Sequence, residues 1–330
     1  MKYPLIDLLR LHHPDDSEKS ALRAYGENSL NELFNELCIS YTEYKSIKIE
    51  KLAQQFSVNK NSIQNWRGLN KKYKNGHPIP LWVLEKILVL NNSRYGARHR
   101  EIINTISHLQ CGRTAQKVKA VKYLIEDFAR ICGAHAADGS LYHLKDRGPI
   151  TAIWEIGDQE KSNILAVHEW TSNLFGTDLE IKYNGKMCYL RSNLQIFSRY
   201  LNRIFDFPLG SKSDIVKEPK ILSGYDDRLL SSMTEEISKK MRLEFAKEVL
   251  NFDGHSTITG GIVSVGLGCN SPYLRNSVVE IFDKNGIHFK NYHTSKKILT
   301  TRKVDSNGIY NLGVFRGNKR NKMKRQLAHP

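Results

Sequence analysis

Residues 131–139, with the sequence ICGAHAADG, decide the fold of this 330-residue chain. Apolar residues recur at helical spacing over residues 121–137, and this pattern predicts one helix. Ala129, Gly133 and Ala137 follow one another every four residues, so one face of the helix is nearly bare and lets a second helix approach closely. The helix ends at Asp138, where the helix dipole disfavours an anion. A bound divalent cation would compensate this carboxylate.

A second, weaker copy of the pattern begins about 115 residues further along the chain. Residues 241–252 are predicted to be helical and end at Asp253, which a glycine again follows. When the two aspartates are aligned, Glu244, Glu248 and Phe252 stand opposite the three small residues of the first helix. This face is charged and bulky, so the second helix is expected to pack less closely than the first helix would allow.

The predicted elements follow each aspartate in the same order. After Asp138 we predict a strand region, a helix, two strands and a helix, at residues 141–157, 160–175, 179–183, 188–191 and 193–205. After Asp253 we predict a hairpin, a helix and two strands, at residues 257–267, 272–284, 287–293 and 309–315. The chain therefore contains an internal duplication, with one repeat at 119–222 and a shorter one at 223–330.

The nonamer and the surrounding element order resemble the LAGLIDADG homing endonucleases, in particular free-standing archaeal members with two motifs. The resemblance covers residues 121–330 and implies an α+β fold, a duplicated αββαββα saddle with pseudo-twofold symmetry. It implies a site-specific double-stranded DNA endonuclease in which Asp138 and Asp253 hold Mg²⁺ and the small residues form the interface between halves. Carboxylate oxygens suit Mg²⁺, which activates water for phosphodiester hydrolysis.

Two sets of residues are carried over from the resemblance as further site residues. Lys212, in the tail FPLGSKS at 207–213, matches a basic residue beside the active-site water or phosphate; a lysine that binds phosphate elsewhere, or a plain surface lysine, is the alternative. Residues on the saddle would face the major groove, and strand register decides among them. The candidates are Tyr142, Lys145, Arg147, Trp154, Glu155, Lys182 and Arg191.

The second repeat departs from the family pattern in three ways. A buried, unpaired Glu248 would be strongly destabilising, so we expect it to pair with Arg130 or Lys247, to stay hydrated, or to lie on a displaced helix. We expect no counterpart of Lys212 in the second repeat. After residue 315 only a basic tail remains, in which Arg316, Lys319 and Arg320 are predicted to contact DNA phosphates or else to form an exposed end. Cleavage of one strand is therefore in question.

The region before the repeats predicts a helical module. Residues 1–45 are predicted to form two or three short helices without recognisable chemistry, and residues 46–118 an all-α helix-turn-helix domain followed by a basic linker. The second helix of that motif would lie in the major groove. Its candidate DNA contacts are Lys60, Asn61, Gln64, Asn65 and Arg67. An ordinary helical hairpin with a polar face is the alternative.

Charge and composition limit the function classes. The net charge of +16 indicates a polyanionic partner, with nucleic acid first and an anionic membrane surface second. The five cysteines are scattered and never spaced as C-x-x-C, so a disulfide framework and a zinc finger are not indicated, and a reducing cytoplasm fits. The sequence contains no phosphate-binding loop for ATP, no serine-hydrolase elbow and no apolar segment that would span a bilayer.

The sequence thus predicts a cytoplasmic, Mg²⁺-dependent DNA endonuclease that works as a monomer, because both halves lie in one chain. The main alternative is a transcription regulator that keeps the saddle and has lost cleavage. The third is a maturase that binds intron RNA. Cleavage of a duplex target with Mg²⁺ separates the first from the others.

Overall fold

The computed structural model describes residues 3–13, 16, 21–69, 77–112, 116–143, 152–212, 214–259 and 261–328. The chain divides into two compact units. The described part of Pro4–Tyr123, with Arg228–Ser231, is here the N-terminal unit. The described part of Leu124–Asp227 and Ser232–Pro330, with Tyr3, is the repeat unit. The candidate base contacts Lys145 and Arg147 lie outside the described residues.

The N-terminal unit combines helices with an antiparallel sheet. Its described helices are α1 (Glu27–Lys45), α2 (Ile49–Gln55), α3 (Lys60–Trp66), α4 (Leu81–Leu90) and α5 (Ala97–Thr105). Its strands are β1 (Leu22–Tyr25), β2 (Ile79–Pro80), β3 (His108–Cys111) and β4 (Val118–Lys119), in the sheet order β2-β1-β3-β4. The prediction of an all-α domain was therefore wrong.

Two further predictions for this unit were wrong for the same reason. The N-terminal segment holds a short 3-10 helix (Leu8–Leu11), the strand β1 and one long helix, α1, instead of two or three short helices. The expected basic linker contains α5, β3 and β4. These strands are two to four residues long, which is too short to show the alternation that identifies a strand in a sequence. Pairing between distant segments creates them, as between Leu22 and Cys111.

Helices α2 and α3 lie where the sequence predicts the helix-turn-helix. Ser57 in the connection has a left-handed backbone, with φ of 54°. The Asn59 side chain caps α3 by accepting a hydrogen bond from the Asn61 amide at 2.8 Å. Ile63 and Trp66 are buried against the rest of the unit. Two helices therefore lie at the predicted positions, and a helix-turn-helix that binds DNA stays a prediction.

A buried ionic cluster holds the start of the chain in the N-terminal unit. Asp7 is fully buried, and its Oδ1 accepts a hydrogen bond from His99 Nε2 at 3.0 Å. The Tyr95 amide donates to His99 Nδ1 at 3.1 Å. Arg94 lies 2.9 Å from Asp7 Oδ2 and 2.8 Å from Glu85 Oε1. Each of these buried charges therefore has a partner, as burial requires.

The first half of the repeat unit has the predicted order of elements. Its elements are α6 (Glu126–Asp138), β5 (Gly139–His143), β6 (Ala152–Asp158), α7 (Lys161–Phe175), β7 (Ile181–Asn184), β8 (Met187–Ser192) and α8 (Gln195–Arg199), which continues as a π-helix over Tyr200–Ile204. The strands form one antiparallel sheet in the order β5-β6-β8-β7. Phe128 of α6 packs on Phe175, Tyr200 and Phe205, so the helices cover the inner face of this sheet.

The second half repeats this arrangement. Its elements are α9 (Glu235–Asp253), β9 (Gly254–Thr259), β10 (Ile262–Gly268), α10 (Pro272–Asp283), β11 (Phe289–Tyr292), β12 (Lys297–Thr300), α11 (Lys303–Asn311) and α12 (Gly317–Ala328). Its sheet order, β11-β12-β10-β9, is that of the first sheet. The repeat unit is thus an α+β fold with a duplicated αββαββα order, as predicted.

The end of the second half differs from the prediction. The predicted strand at 309–315 is the end of α11 and the turn that follows it, and the predicted basic tail is the helix α12. Asp305 fixes the first turn of α11: it accepts a hydrogen bond from the His288 amide at 3.0 Å and pairs with Arg302 at 2.7 Å. Only one apolar residue of α12, Met323, is fully buried, so its sequence lacks a clear apolar stripe.

Helices α6 and α9 pack directly against each other, which the sequence left in doubt. A Cβ at Gly133 would lie 2.3 Å from the backbone oxygen of Phe245 and 2.9 Å from Glu248 Cβ. Only a residue without a side chain allows this contact. The face of α6 that carries small residues therefore packs against the face of α9 that carries large ones. Close packing of the two helices needs glycine on one helix only.

Candidate active site

The carboxyl groups of Asp138 and Asp253 meet where α6 and α9 end. Each is the last residue of its helix and is followed by a glycine that begins the next strand. Asp138 is exposed and Asp253 is partly exposed, and their carboxyl groups are close enough to share a hydrogen bond. The fold therefore brings together the two acids that the sequence predicts as metal ligands.

The surroundings of this pair make ionisation unfavourable. Burial, followed by the charge of Asp138, raises the pKa of Asp253 to about 7. Burial, followed by the charge of Asp158, raises the pKa of Asp138 as well. Like charges at close range disfavour double ionisation, so the two carboxyl groups resist losing both protons.

Two lysines lie beside the pair in equivalent positions. Lys212 Nζ donates to the backbone oxygens of Ala136 and Ala137 at 2.8 and 3.1 Å, at the end of α6. Lys319 Nζ donates to those of Asn251 and Phe252, at 2.8 and 2.5 Å, at the end of α9. Each ammonium group therefore satisfies terminal carbonyls of a motif helix.

The prediction that Lys212 has no counterpart was wrong, because Lys319 occupies the equivalent position. It lies on α12, whereas Lys212 lies in an irregular segment, and the second half reaches its lysine after fewer residues. Burial lowers the pKa of Lys212 to about 8, against the opposing effect of the two aspartates. Sequence reasoning missed the equivalence because the two lysines follow different elements.

The glutamates of α9 are paired, although not as expected. Glu248 accepts hydrogen bonds from both terminal nitrogens of Arg316, at 2.6 and 2.5 Å. Arg130 pairs instead with Glu244, at 2.7 Å, and so does Lys247, at 2.9 Å. The predicted partners of Glu248 were therefore wrong, because each binds a glutamate one turn earlier.

Arg316 is thus engaged inside the repeat unit. Its guanidinium lies 5.0 Å from the ring centre of Trp170, besides its contacts with Glu248. Arg320, in contrast, is exposed and lies over the Tyr310 ring at 5.1 Å. Of the basic residues predicted for this region, Arg320 is therefore presented to solvent, Lys319 adjoins the aspartates, and Arg316 stabilises the helix interface.

A third acid, Asp158, belongs to the same site and was missed from the sequence. It ends β6 and lines an open pocket together with Asp138 and Lys319. Asn163 Nδ2 donates to Asp158 Oδ2 at 2.6 Å, and the Glu160 amide donates to Oδ1 at 2.9 Å. Only the exact end of β6 places this residue near Asp138, and strand ends are the least certain feature of a sequence prediction.

Outward-facing strand residues surround the site. Lys182 and Arg191 are exposed on the first sheet, and Arg191 lies over the Tyr142 ring at 5.9 Å. Glu155 lies 3.7 Å from Arg191 on the same face. Trp154 is fully buried and stacks on Phe197, so the suggestion that it contacts bases was wrong. It faces inward because successive strand residues alternate between faces.

The residues of α3 predicted to contact DNA are placed unequally. Asn61 and Lys60 are exposed, with Lys60 Nζ 2.5 Å from Glu50, while Gln64 and Asn65 are partly exposed. Arg67 turns back into the unit, where its Nε donates to Asn35 Oδ1 at 2.6 Å.

A preformed metal cluster is absent from the residues that the structure describes: no three histidine, cysteine or acidic side chains are arranged around a common point. Within the same residues, no helix is long and apolar enough to cross a membrane.

No protein-family model matches the sequence, and neither does any curated protein. Solved structures do match. A mesophilic variant of the homing endonuclease I-DmoI is 12% identical, over 57% of this chain and 90% of its own, with a TM-score of 0.39. The LAGLIDADG homing endonuclease I-GzeII with its DNA target is 16% identical, over 60% of this chain and 87% of its own, with a TM-score of 0.35. An I-SmaMI mutant is 13% identical, over 62% of this chain and 89% of its own, with a TM-score of 0.38. The chain resembles homing endonucleases.

Proposed function

We propose that this protein is a site-specific, Mg²⁺-dependent double-stranded DNA endonuclease of the LAGLIDADG homing type. The observation that carries the proposal is the contact between Asp138 and Asp253 at the ends of two packed helices, each beside a lysine. Two carboxyl groups in contact, each with a raised pKa, are an unfavourable arrangement in the free protein. A divalent cation would relieve it, because the cation replaces the shared proton.

The donor atoms fit Mg²⁺. Asp138 and Asp253 would hold the ion with carboxylate oxygens, and phosphate oxygens and water would complete its coordination, as is common for this metal. When bound, the ion would lower the pKa of a coordinated water and stabilise the charge that develops on the leaving oxygen. The chain itself supplies fixed acids and two ammonium groups, and it needs no rearrangement to bring them together.

The lysines would act on the phosphate. Lys212 and Lys319 are held by helix-terminal carbonyls, so each ammonium is positioned beside the aspartates before DNA binds. A preorganised cation stabilises a phosphate whose charge grows in the transition state. The presence of one lysine on each side supports cleavage of both strands, and it removes the main reason for assuming an inactive second half.

Duplex DNA is the partner that the exposed side chains fit best. The net charge is +16, and α12 carries five basic residues and no acid. The contacts we propose in the repeat unit are Lys182, Arg191, Lys319 and Arg320, with Lys60, Asn61, Gln64 and Asn65 as further contacts in the N-terminal unit. Arg67 and Arg316 are left out because each is partly buried and also binds a side chain of the protein. With two repeats in one chain, we expect a monomer, and its residence in the cytoplasm is part of the proposal.

The proposal is tested by selection from random duplex DNA with the full-length protein in Ca²⁺, followed by incubation of the selected duplex with Mg²⁺. We expect enrichment of one long site and a double-strand break within it. Enrichment without any cutting would identify a DNA-binding regulator instead. Preferential binding of structured intron RNA over the selected duplex would identify a maturase.

A further inference from the structure

The two halves of the candidate site differ at one equivalent position. The glycine after each motif aspartate pairs with a residue of the next strand, Ile156 in the first half and Leu267 in the second. Two residues beyond these partners stand Asp158 and Cys269. The helices that follow, α7 and α10, then begin at the same distance in both halves. Asp158 and Cys269 are therefore structural equivalents, one a carboxylate and the other a thiol.

Asp158 is held by a buried polar network that crosses between α7 and α9. Asn163 donates to Asp158, and its own Oδ1 accepts from Asn251 Nδ2 at 2.8 Å. Asn251 Oδ1 in turn accepts from the Arg316 amide at 3.2 Å, and Glu248 binds the Arg316 guanidinium. Asn163 and Asn251 are fully buried. A network of this kind fixes the side chains that it joins.

The second half has no polar side chains at the equivalent positions. The residue equivalent to Asn163 is Leu274, and the residues equivalent to Asn251 and Glu248 on the other motif helix are Ala136 and Gly133. All three are apolar or lack a side chain, and all are buried. The polar support therefore exists on one side of the interface only, where it holds a second carboxylate next to Asp138.

We propose that Asp158 is an additional metal-facing carboxylate, and that it makes the Asp138 half-site bind a divalent cation more tightly than the Asp253 half-site. Asp138 and Asp158 line the same open pocket, with Lys319 beside them. The sulfur of Cys269 adjoins Asp253 instead, and a protonated thiol is a poor ligand for a hard cation. Asn163 and Asn251 are positioning residues for Asp158.

This inference rests on the proposed function for the identity of the metal site, but it is tested without DNA cleavage. The full-length protein is titrated with Mn²⁺, and free Mn²⁺ is measured by electron paramagnetic resonance. We expect one site at least about tenfold tighter than a second, in line with the effect of one supporting ligand. D158N should remove this difference by weakening the tighter site. D178N, which changes an exposed aspartate of the same half, is the matched control.

A reciprocal variant keeps the test independent of the folding of D158N. C269D places a carboxylate in the second half, and it should strengthen the weaker site by about tenfold. Unchanged Mn²⁺ affinities in both D158N and C269D would overturn the inference, and would leave the nuclease proposal untouched. A wild-type protein with the expected unequal Mn²⁺ sites that never cuts its selected duplex would contradict the nuclease proposal, and would leave the inequality standing.

Discussion

At the scale of single residues, the site depends on charges that the fold keeps close together. Asp138, Asp253 and Asp158 would repel one another if all were ionised, and Lys212 and Lys319 offset only part of that repulsion. Active sites commonly store such unfavourable electrostatics, because the substrate or the metal relieves them.

Each lysine is expected to support cleavage of one strand. The substrate is a supercoiled plasmid that carries the target. K319M and K212M should each lower the rate of cutting of one DNA strand by about a hundredfold, because a positioned ammonium group near the scissile phosphate is lost. The expected product in both cases is nicked circle instead of linear DNA, measured on agarose gels. K322M, an exposed lysine on the same helix α12, should cut like the wild type. Normal linearisation by K319M would show that this lysine does not serve the second strand.

Stability is expected to depend on pH through Asp253. Its pKa is about 7 in the folded protein, against about 3.9 in an unfolded chain. The folded state therefore retains a proton that the unfolded state releases, so this group makes stability fall as pH rises from about 4 to about 7, with no further loss above. The pH dependence of stability is measured by thermal unfolding of the metal-free protein at several pH values. Between about pH 4 and about pH 7, the melting temperature of D253N should fall less than that of D178N. Identical declines would contradict the assignment.

At the scale of elements, the sequence predicts best those features that one continuous segment determines. Helices α6 and α9 were predicted from their own periodicity, and the sheet of the first half from one strand region and two strands. The equivalence of Lys319 to Lys212 was missed because its position depends on α12 docking, in which Glu160 accepts the Asn318 amide at 2.9 Å from across the repeat. Strand β1 and residue Asp158 were missed because pairing with distant residues defines them. What the sequence lacks is the tertiary context.

The close packing of α6 on α9 predicts that Gly133 tolerates no side chain. G133A would place a methyl group 2.3 Å from the Phe245 backbone oxygen, so the helices must separate. We expect a loss of about 1–3 kcal/mol in the free energy of unfolding in urea. G268A is the control, since a Cβ there meets nothing within 4 Å. Equal stability of G133A and wild type would mean that the interface is looser than described.

Helix α3 is expected to contribute binding rather than chemistry. N61A and Q64A should each weaken binding of the selected duplex by roughly tenfold, because a contact with a base edge is worth about 1–3 kcal/mol. The rate of cutting at saturating protein should stay unchanged. Q54A, an exposed glutamine on α2, is the control in fluorescence anisotropy titrations. If neither variant weakens binding, α2 and α3 form an ordinary helical hairpin.

At the scale of the whole molecule, duplication creates the site and divergence makes it unequal. The two halves share their element order, their strand registers, their terminal aspartates and their lysines. They differ in the polar network beside Asp158, in α12 and in the charges of α9. The shared features would allow the protein to cleave both DNA strands. The differences would allow it to distinguish the two halves of an asymmetric DNA target.

The most direct test of this account compares wild type, D138N, D253N and the double variant on the selected duplex with Mg²⁺, with binding and cutting measured in parallel. Because the carboxylates would hold the metal rather than the DNA, the variants should bind the duplex as tightly as the wild type. The double variant should produce no break. Cutting by the double variant at the wild-type rate would contradict the assignment of these aspartates as the catalytic centre.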